Sequence, residues 1–175
     1  MTNLEVLNMR YNLLEGSIPS EIGGLMKYVF HAQYLLLVHC SWNAHQSSNL
    51  TNIPHIFVCC FSLGRIDLSE NFFTGAVPSE FGLLRRLDDL RLNRNFLESL
   101  PDEIFTLDDV GSFDVSANTI SGTLPSHIAQ MKDTTWLSLY GNWFYGTLPS
   151  ELGHLTDMVS LLLSYNYFSG RSRKN

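Results

Sequence analysis

Apolar residues recur along the chain in a fixed frame around six asparagines. Counted from each asparagine, apolar side chains stand eight, five and three positions before it and two positions after it, with Thr134 as the one polar exception. The asparagines follow one another at intervals of 59, 24, 23, 24 and 24 residues, and they are Asn12, Asn71, Asn95, Asn118, Asn142 and Asn166. The chain is therefore built of repeats. Each is too small to bury its own leucines, so a core forms only where neighbouring repeats stack.

The residues just before each asparagine alternate between apolar and polar, as in Leu137-Ser138-Leu139. A period of two is that of a half-buried strand, and one short strand per repeat predicts a parallel sheet. Behind five of the asparagines an apolar residue and a proline follow, which favours the start of a short helical or 3₁₀ turn. Glycine suits a positive φ four residues after the asparagine, at Gly16, Gly75, Gly122, Gly146 and Gly170.

The six asparagines stand where the chain must bend inward after the strand. There, backbone N–H and C=O groups become buried where the sheet ladder does not reach them. A side-chain amide both donates and accepts hydrogen bonds, so one asparagine satisfies several of these groups. Loss of such a buried partner costs about 1 to 3 kcal/mol. We therefore expect all six asparagines to be structural.

This pattern resembles the leucine-rich repeat family in its plant-type form, LxxLxLxxNxLxGxIPxxLGxL. The resemblance covers the chain except for one internal segment and the last few residues. It implies an α/β solenoid, a right-handed superhelix with a short parallel sheet on its concave face. The third repeat, Phe96-Leu97-Glu98-Ser99-Leu100-Pro101, lacks the glycine and one residue, and it is similar to the ordinary 23-residue class. The plant-type second strand is therefore open to question there.

The first interval between asparagines is too long by 35 residues. Removing Lys27 to Phe61 restores an interval of 24 and an unbroken frame. The removed segment holds all three cysteines and four of the six histidines, yet it contains no Asp, Glu or Gly. The predicted organisation is a first repeat in 1–26, a poorly structured insertion in 27–61, five further repeats in 62–170 and a disordered tail in 171–175.

We favour the hypothesis that the insertion is a translated intron. Lys27-Tyr28-Val29 can be encoded as AAG TAT GTN, which contains the splice-donor sequence GTATGT. Phe61-Ser62 can be encoded by a pyrimidine-rich stretch that ends in an AG acceptor. Splicing would then restore an asparagine codon between Met26 and Leu63, and the coding DNA tests this directly.

A genuine loop between two coils is the alternative, since solenoids tolerate insertions. The apolar runs 28–38 and 53–63, of 11 residues each, fall short of the roughly 20 that span a bilayer. The histidines and cysteines of the segment do not have the spacing of the familiar zinc motifs. We therefore expect neither a membrane span nor a metal site in this chain.

Charge and motifs exclude several classes of function. Seventeen acidic and eleven basic residues give a net charge of −6 and leave no basic stripe for nucleic acid. The adjacent carboxylates of Asp88-Asp89 point to opposite faces of a strand, so they cannot work as an acid/base pair. No phosphate-binding loop or kinase motif follows the repeats. We expect a non-catalytic chain without a cofactor.

Candidate binding residues are those that the scaffold leaves on the concave face, six, four, two and one positions before each asparagine. They form a mixed-charge strip and an aromatic zone, and exposed aromatics beside arginines are typical of protein interfaces. The strip holds Arg65, Asp67, Glu70, Asp89, Arg91, Arg94 and Asp114, and the zone holds Trp136, Tyr140 and Tyr165. Trp143 and Tyr145, in the turns, are expected to pack on neighbouring coils. The sequence thus predicts a scaffold for a protein or peptide ligand.

The resemblance implies two settings for such a scaffold. One is a receptor-like binding protein, and the other is a fragment of the ligand-binding ectodomain of a membrane receptor kinase whose catalytic part is absent from this chain. Met1-Thr2-Asn3-Leu4 enters the repeat frame at once, without a charged and apolar leader and without a cap, so we expect a fragment. A cell-surface or extracellular location follows from the resemblance alone.

Overall fold

The computed structural model describes residues 4–22 and 63–170. The expectations for residues 27–61 and for the tail at 171–175 lie outside them. Its strands are β1 (Val6–Asn8), β2 (Glu15–Ser17), β3 (Arg65–Asp67), β4 (Phe72–Ala76), β5 (Asp89–Arg91), β6 (Phe96–Ser99), β7 (Ser112–Asp114), β8 (Ser121–Gly122), β9 (Trp136–Ser138), β10 (Trp143–Gly146), β11 (Ser160–Leu162) and β12 (Tyr167–Phe168). Its 3₁₀ helices are Ser79–Leu83, Asp102–Thr106, Ser126–Gln130 and Ser150–His154.

One strand from each repeat joins a six-stranded parallel sheet in the order β1-β3-β5-β7-β9-β11. The central residues of the strands lie in register, so that Ile66 pairs with Leu90, Leu90 with Phe113, and Phe113 with Leu137. These four side chains are fully buried and belong to one continuous core. The predicted solenoid with a short parallel sheet is confirmed, and its helical layer consists of 3₁₀ turns.

The first repeat stacks directly on the second across the long interval. β1 pairs with β3, Leu7 opposite Ile66, although 59 residues separate these partners, compared with 23 or 24 between the later ones. β1 and β3 pair in the same register as the later strands of this sheet. The translated intron and the genuine loop both require this continuity of the flanking coils.

The asparagines tie each coil to the one before it. The Asn118 amide Nδ2 donates to Val115 O of its own repeat at 3.0 Å and to Leu92 O of the preceding repeat at 3.1 Å. Its Oδ1 accepts the Leu97 N–H, also of the preceding repeat, at 3.0 Å. The same two-way link recurs at Asn71, Asn95, Asn142 and Asn166. Asn12, in the first coil, is exposed, and among the described residues it donates only within its own repeat, to Met9 O and Arg10 O.

The remaining frame residues line the core between the sheet and the 3₁₀ turns. A proline in extended conformation precedes each 3₁₀ helix, with φ between −61° at Pro78 and −77° at Pro125. Thr134, the polar residue of the apolar frame, is fully buried, and its hydroxyl donates to Val110 O at 2.6 Å. Because that hydroxyl has a partner, the core accommodates it without an unsatisfied polar group.

A positive φ occurs at two places in the repeat, and the sequence pattern predicts only one of them. Four of the predicted glycines adopt it, with φ from +75° at Gly75 to +128° at Gly122, and Gly170 does not. The residue directly before each asparagine also adopts it, in each case between +52° and +65°. These residues are Tyr11, Glu70, Arg94, Ala117, Gly141 and Tyr165. Only Gly141 escapes the steric cost that an L side chain meets there.

Strands that follow the asparagines form a second, broken layer. β2, β4 and β6 make one three-stranded parallel sheet, and β8, β10 and β12 make another. The third repeat does form its strand, β6, which pairs with β4 through a register shift at Gly75/Ala76. The layer then breaks after β6, the strand of the repeat that lacks one residue.

Replacing Asn118 with Ala should lower the free energy of unfolding by about 1 to 3 kcal/mol. The change leaves the buried Leu97 N–H without its acceptor, and it removes one of the two amide donors to Leu92 O and to Val115 O. Asn12→Ala is the matched control, and it should stay within about 0.5 kcal/mol because water replaces the exposed amide. Urea unfolding monitored by circular dichroism measures both. An equal loss in the two variants would contradict the proposed structural role.

Replacing Gly141 with Ala should destabilise the chain by about 1 to 2 kcal/mol, since its φ of +65° is unfavourable for an L side chain. The added Cβ would meet Ala117 at an ordinary distance of 3.7 Å, so the cost is one of backbone conformation. Ala117→Gly, at the equivalent site, should stabilise by up to about 1 kcal/mol, because relief of strain exceeds the entropy cost of glycine. Thermal unfolding of both variants tests the opposite signs.

Candidate binding surface on the concave face

The six-stranded sheet presents a hollow of about 450 Å³ over its central strands. Side chains from the first, second, third, fourth and fifth repeats line it, because alternate residues of each strand point away from the core. They are Arg10, Asp67, Ser69, Arg91, Asn93, Ser112, Asp114 and Trp136. The sheet thus brings charged candidates and the first aromatic candidate to one surface.

Two arginines share the carboxylate of Asp89. Arg65 Nη2 lies 2.8 Å from Asp89 Oδ2, and Arg91 Nε lies 3.0 Å from Asp89 Oδ1. Asp89 is 13% exposed at its side chain, whereas the two arginines are about 40% exposed. The carboxylate is thus the buried centre of this group, and the guanidinium groups form its outer surface. Arg65 Nε is buried without a hydrogen-bond partner among the described residues.

Glu70 is the centre of a second group that spans three repeats. Its Oε1 accepts a hydrogen bond from Arg10 Nη2 at 2.7 Å, and its Oε2 lies 3.8 Å from Arg94 Nη1. The hydrogen bond from Arg10 holds the pKa of Glu70 below its ordinary value of 4.5, and partial burial opposes that shift. Arg10 also stacks on the Tyr11 ring, 4.5 Å from its centroid.

Asp67 and Asp114 differ from these two acids because they accept hydrogen bonds from the chain that follows them. Asp67 Oδ1 accepts the Ser69 N–H at 3.1 Å and the Ser69 hydroxyl at 2.6 Å. Asp114 Oδ1 accepts the Ser116 N–H at 2.9 Å. Asp67 is only 3% exposed, so it forms the floor of the hollow. Asp114 is half-buried and remains reachable from the solvent.

The aromatic candidates lie on the last two repeats. Trp136 and Tyr140 are each 43% exposed, and Tyr165 is 76% exposed. The Tyr140 and Tyr165 rings meet edge to face with centroids 5.0 Å apart. Their neighbours on this face are uncharged, namely Ser138, Ser160, Leu162 and Ser164. The concave face is therefore charged at its N-terminal side and aromatic at its C-terminal side.

Sequence reasoning missed part of the exposed surface. Arg10 stands at a predicted concave-face position, two residues before Asn12 and equivalent to Ser69. The predicted charged strip does not include it, although both residues line the same hollow. The expected packing of Trp143 and Tyr145 on neighbouring coils is wrong, since they are 55% and 54% exposed. The reason is the alternation in β10, which turns Phe144 inward and its two neighbours outward.

A second exposed surface follows the layer of β2, β4 and β6. Phe72 and Phe96 stack with ring centroids 6.0 Å apart and are about half exposed. They border a hollow of about 570 Å³ that Leu13 and Arg94 also line. The sequence signal for this second surface is the apolar residue directly after the asparagine in repeats one to three.

Within residues 4–22 and 63–170, no three His, Cys, Asp or Glu side chains come together in a way that would hold a metal ion. In the same described ranges, none of the helices has the length and apolar character needed to cross a membrane.

Comparison with known proteins places this architecture. The family model described as Leucine Rich Repeat matches residues 3–25 and 134–155. Tsukushi from Mus musculus is 41% identical over 59 residues, which is 34% of this chain and 17% of that protein.

Two solved plant structures are similar over nearly the whole chain. The plant peptide hormone receptor RGFR1 in complex with RGF2 matches with a TM-score of 0.73 at 23% identity, over 95% of this chain and 21% of that one. The ectodomain of the receptor kinase GASSHO1/SCHENGEN3 from Arabidopsis thaliana, in complex with CASPARIAN STRIP INTEGRITY FACTOR 2, matches with a TM-score of 0.59 at 25% identity, over 96% and 22%. The chain spans about a fifth of the length of these proteins.

Replacing Glu70 with Gln should reduce stability near neutral pH and have a diminishing effect in acid. The folded-state pKa of Glu70 is lowered, so its stabilising effect is complete above the ordinary value of 4.5 and is lost as the pH falls through the lower folded-state value. Urea unfolding of wild type and variant across this range measures the difference. Glu98→Gln is the control, since Glu98 is exposed and has no ion pair among the described residues. Parallel pH profiles for wild type and Glu70→Gln would contradict the role of Glu70.

Proposed function

The chain belongs to the leucine-rich repeat family, and we propose that it is a non-catalytic scaffold that binds a protein or peptide on its concave face. The observation that carries this proposal is the exposure of Trp136, Tyr140 and Tyr165 on the last two repeats, with Trp136 lining the hollow in the sheet. Large aromatic side chains that the core does not use are costly to leave in water. They are also the residues that most often dominate the binding energy of an interface.

The aromatic zone is suited to an extended ligand. Trp136, Tyr140 and Tyr165 stand on short strands or directly behind them, and the backbone there is fixed by the sheet and by Asn142 and Asn166. Tyrosine and tryptophan have few rotatable bonds, so little conformational entropy is lost when a ligand covers them. Their hydroxyl and indole N–H groups also pair with a ligand backbone.

The charged strip supports the same proposal in a different way. Its arginines are already paired with Asp89 and Glu70 in the unbound state. Binding therefore does not have to order these side chains, and their exposed guanidinium edges present fixed hydrogen-bond donors. The complex of the GASSHO1/SCHENGEN3 ectodomain with CASPARIAN STRIP INTEGRITY FACTOR 2 adds support, because a similar architecture holds a bound partner there.

A receptor-kinase ectodomain fragment is the second candidate setting. The likeness to the GASSHO1/SCHENGEN3 ectodomain, of which this chain spans 22%, favours it. A cell-surface or extracellular location belongs to this proposal. The two settings share the binding face and differ only in the rest of the parent gene. A signal peptide upstream and an apolar span downstream of about 20 residues would establish the receptor.

A catalytic role finds no support in the described surface. Asp88 is exposed, whereas Asp89 forms ion pairs with two arginines. The adjacent carboxylates therefore do not form an acid/base pair. The matched family model describes a structural repeat rather than a catalytic domain.

Replacing both Trp136 and Tyr140 with Ala should weaken binding by about 2 kcal/mol or more, about thirtyfold in Kd, while the fold persists. The probes are short random peptides selected by display on the immobilised wild-type chain. Calorimetry then compares wild type with the double variant, and circular dichroism checks the fold. Trp143→Ala with Tyr145→Ala is the matched control, since it removes exposed aromatics from β10 instead. If only the control pair weakened binding, the site would lie on the second layer.

A further inference from the structure

We infer that the ligand presents a lysine or arginine side chain to the place between Asp114 and the Trp136 ring. This inference rests on the proposed function, because it names the chemistry of a ligand for the same concave face. It concerns the boundary between the charged strip and the aromatic zone, where β7 and β9 lie side by side.

The four acids on this face differ in the partners that they already have. Glu70 is paired with Arg10 and Arg94, and Asp89 with Arg65 and Arg91. Asp67 is buried and accepts hydrogen bonds from the Ser69 N–H and hydroxyl. Asp114 is the acid of the hollow that is reachable and, within the described part of the chain, has no cationic partner within ion-pair distance.

Asp114 is held in a fixed orientation. Its Oδ1 accepts the Ser116 N–H at 2.9 Å, which anchors the carboxylate at the end of β7. Its Oδ2 accepts no hydrogen bond from the described residues. An anchored carboxylate with one open oxygen accepts a charge-assisted hydrogen bond at little entropic cost.

Trp136 lies on the strand next to that of Asp114. The register pairs Ser112 with Trp136 and Asp114 with Ser138, so Asp114 and Trp136 stand diagonally on adjacent strands. From a strand spacing of about 4.8 Å and a rise of about 3.3 Å per residue, their Cα atoms are about 8 Å apart. A cation between them reaches the carboxylate and lies within the roughly 6 Å of the ring at which cation–π attraction acts.

The arginines of the hollow restrict where such a cation can sit. Arg91 is the register partner of Asp114, but its Nε is bound to Asp89 at 3.0 Å. Arg10 lines the same hollow and is bound to Glu70 at 2.7 Å. Both guanidinium groups repel a second cation, and this repulsion directs the ligand cation to the Trp136 side of Asp114. The apolar stem of a lysine or arginine then covers the indole ring.

Matched peptides test the inference without knowledge of the natural ligand. Peptides selected by display on the wild-type chain should be enriched in Lys or Arg. In the tightest of them, exchange of arginine for citrulline, or of lysine for acetyl-lysine, keeps the shape and removes the charge. We expect this exchange to weaken binding to the wild-type chain about tenfold. The measurement is calorimetry at low ionic strength, because salt screens a half-exposed pair.

Variants of the protein test whether the difference in affinity between charged and neutral peptides arises at Asp114 and Trp136. On Asp114→Asn, which keeps an Oδ1 acceptor for the Ser116 N–H, the charged and neutral peptides should bind within about twofold of each other. On Trp136→Leu the difference should also shrink. The controls are Asp157→Asn and Trp143→Leu, which make the same chemical changes outside the concave face. They should keep the full tenfold difference.

The outcomes separate the inference from the proposed function. If peptides bind through Trp136 and Tyr140 but carry no basic residue, or bind equally well after loss of the charge, the inference is overturned and the scaffold function stands. If Asp114→Asn leaves the tenfold difference intact, the cation sits elsewhere and the inference is likewise overturned. If no peptide binds, or if the Trp136 and Tyr140 variants bind as wild type, the proposed function fails and the inference fails with it.

Discussion

The side-chain amide that follows each strand is the interaction on which the rest of this structure depends. Every asparagine after the first donates to carbonyls of its own and the preceding coil and accepts an N–H of the preceding coil. One small group thereby satisfies backbone atoms that a parallel sheet of three-residue strands cannot reach. Without these bonds, the inward bend would bury unpaired polar groups in every repeat. Because the links run between coils, the strength of the array lies in the stacking rather than in any single repeat.

A rigid spine of this kind has a direct consequence for recognition. The core uses every second strand residue, and the alternate residues are held on one face at the regular spacing of the sheet. On the N-terminal side those residues form two ion-paired groups, with two arginines around Glu70 and two around Asp89. On the C-terminal side they are aromatic and uncharged. Preformed ion pairs beside fixed aromatic side chains give a surface that needs little rearrangement to hold a ligand.

The candidate site is predictable in its location and much less so in its internal pairing. The period of two places Asp67, Asp89 and Asp114 on the concave face, yet it cannot say that Asp67 is 3% exposed or that two arginines converge on Asp89. Those facts depend on which side chains from different repeats meet. Pairing between strands 23 or 24 residues apart is set by register. A periodic pattern fixes the face of a residue, whereas its partners follow from rotamers and charges of residues remote in sequence.

By itself, the sequence determined the number of coils, the apolar frame and the places of the asparagines and of four glycines with positive φ. These features depend on the local backbone conformation of one repeat, and the same residue types recur at the same places in each repeat. Only the tertiary structure decided the left-handed conformation at Ala117 and its equivalents, the break in the second layer after β6, and the exposure of Trp143 and Tyr145. The physical reason is that these features arise from the fit of one coil on its neighbour. The packing energy at this contact depends on the residues of two neighbouring repeats, so it cannot be read from the sequence of one repeat.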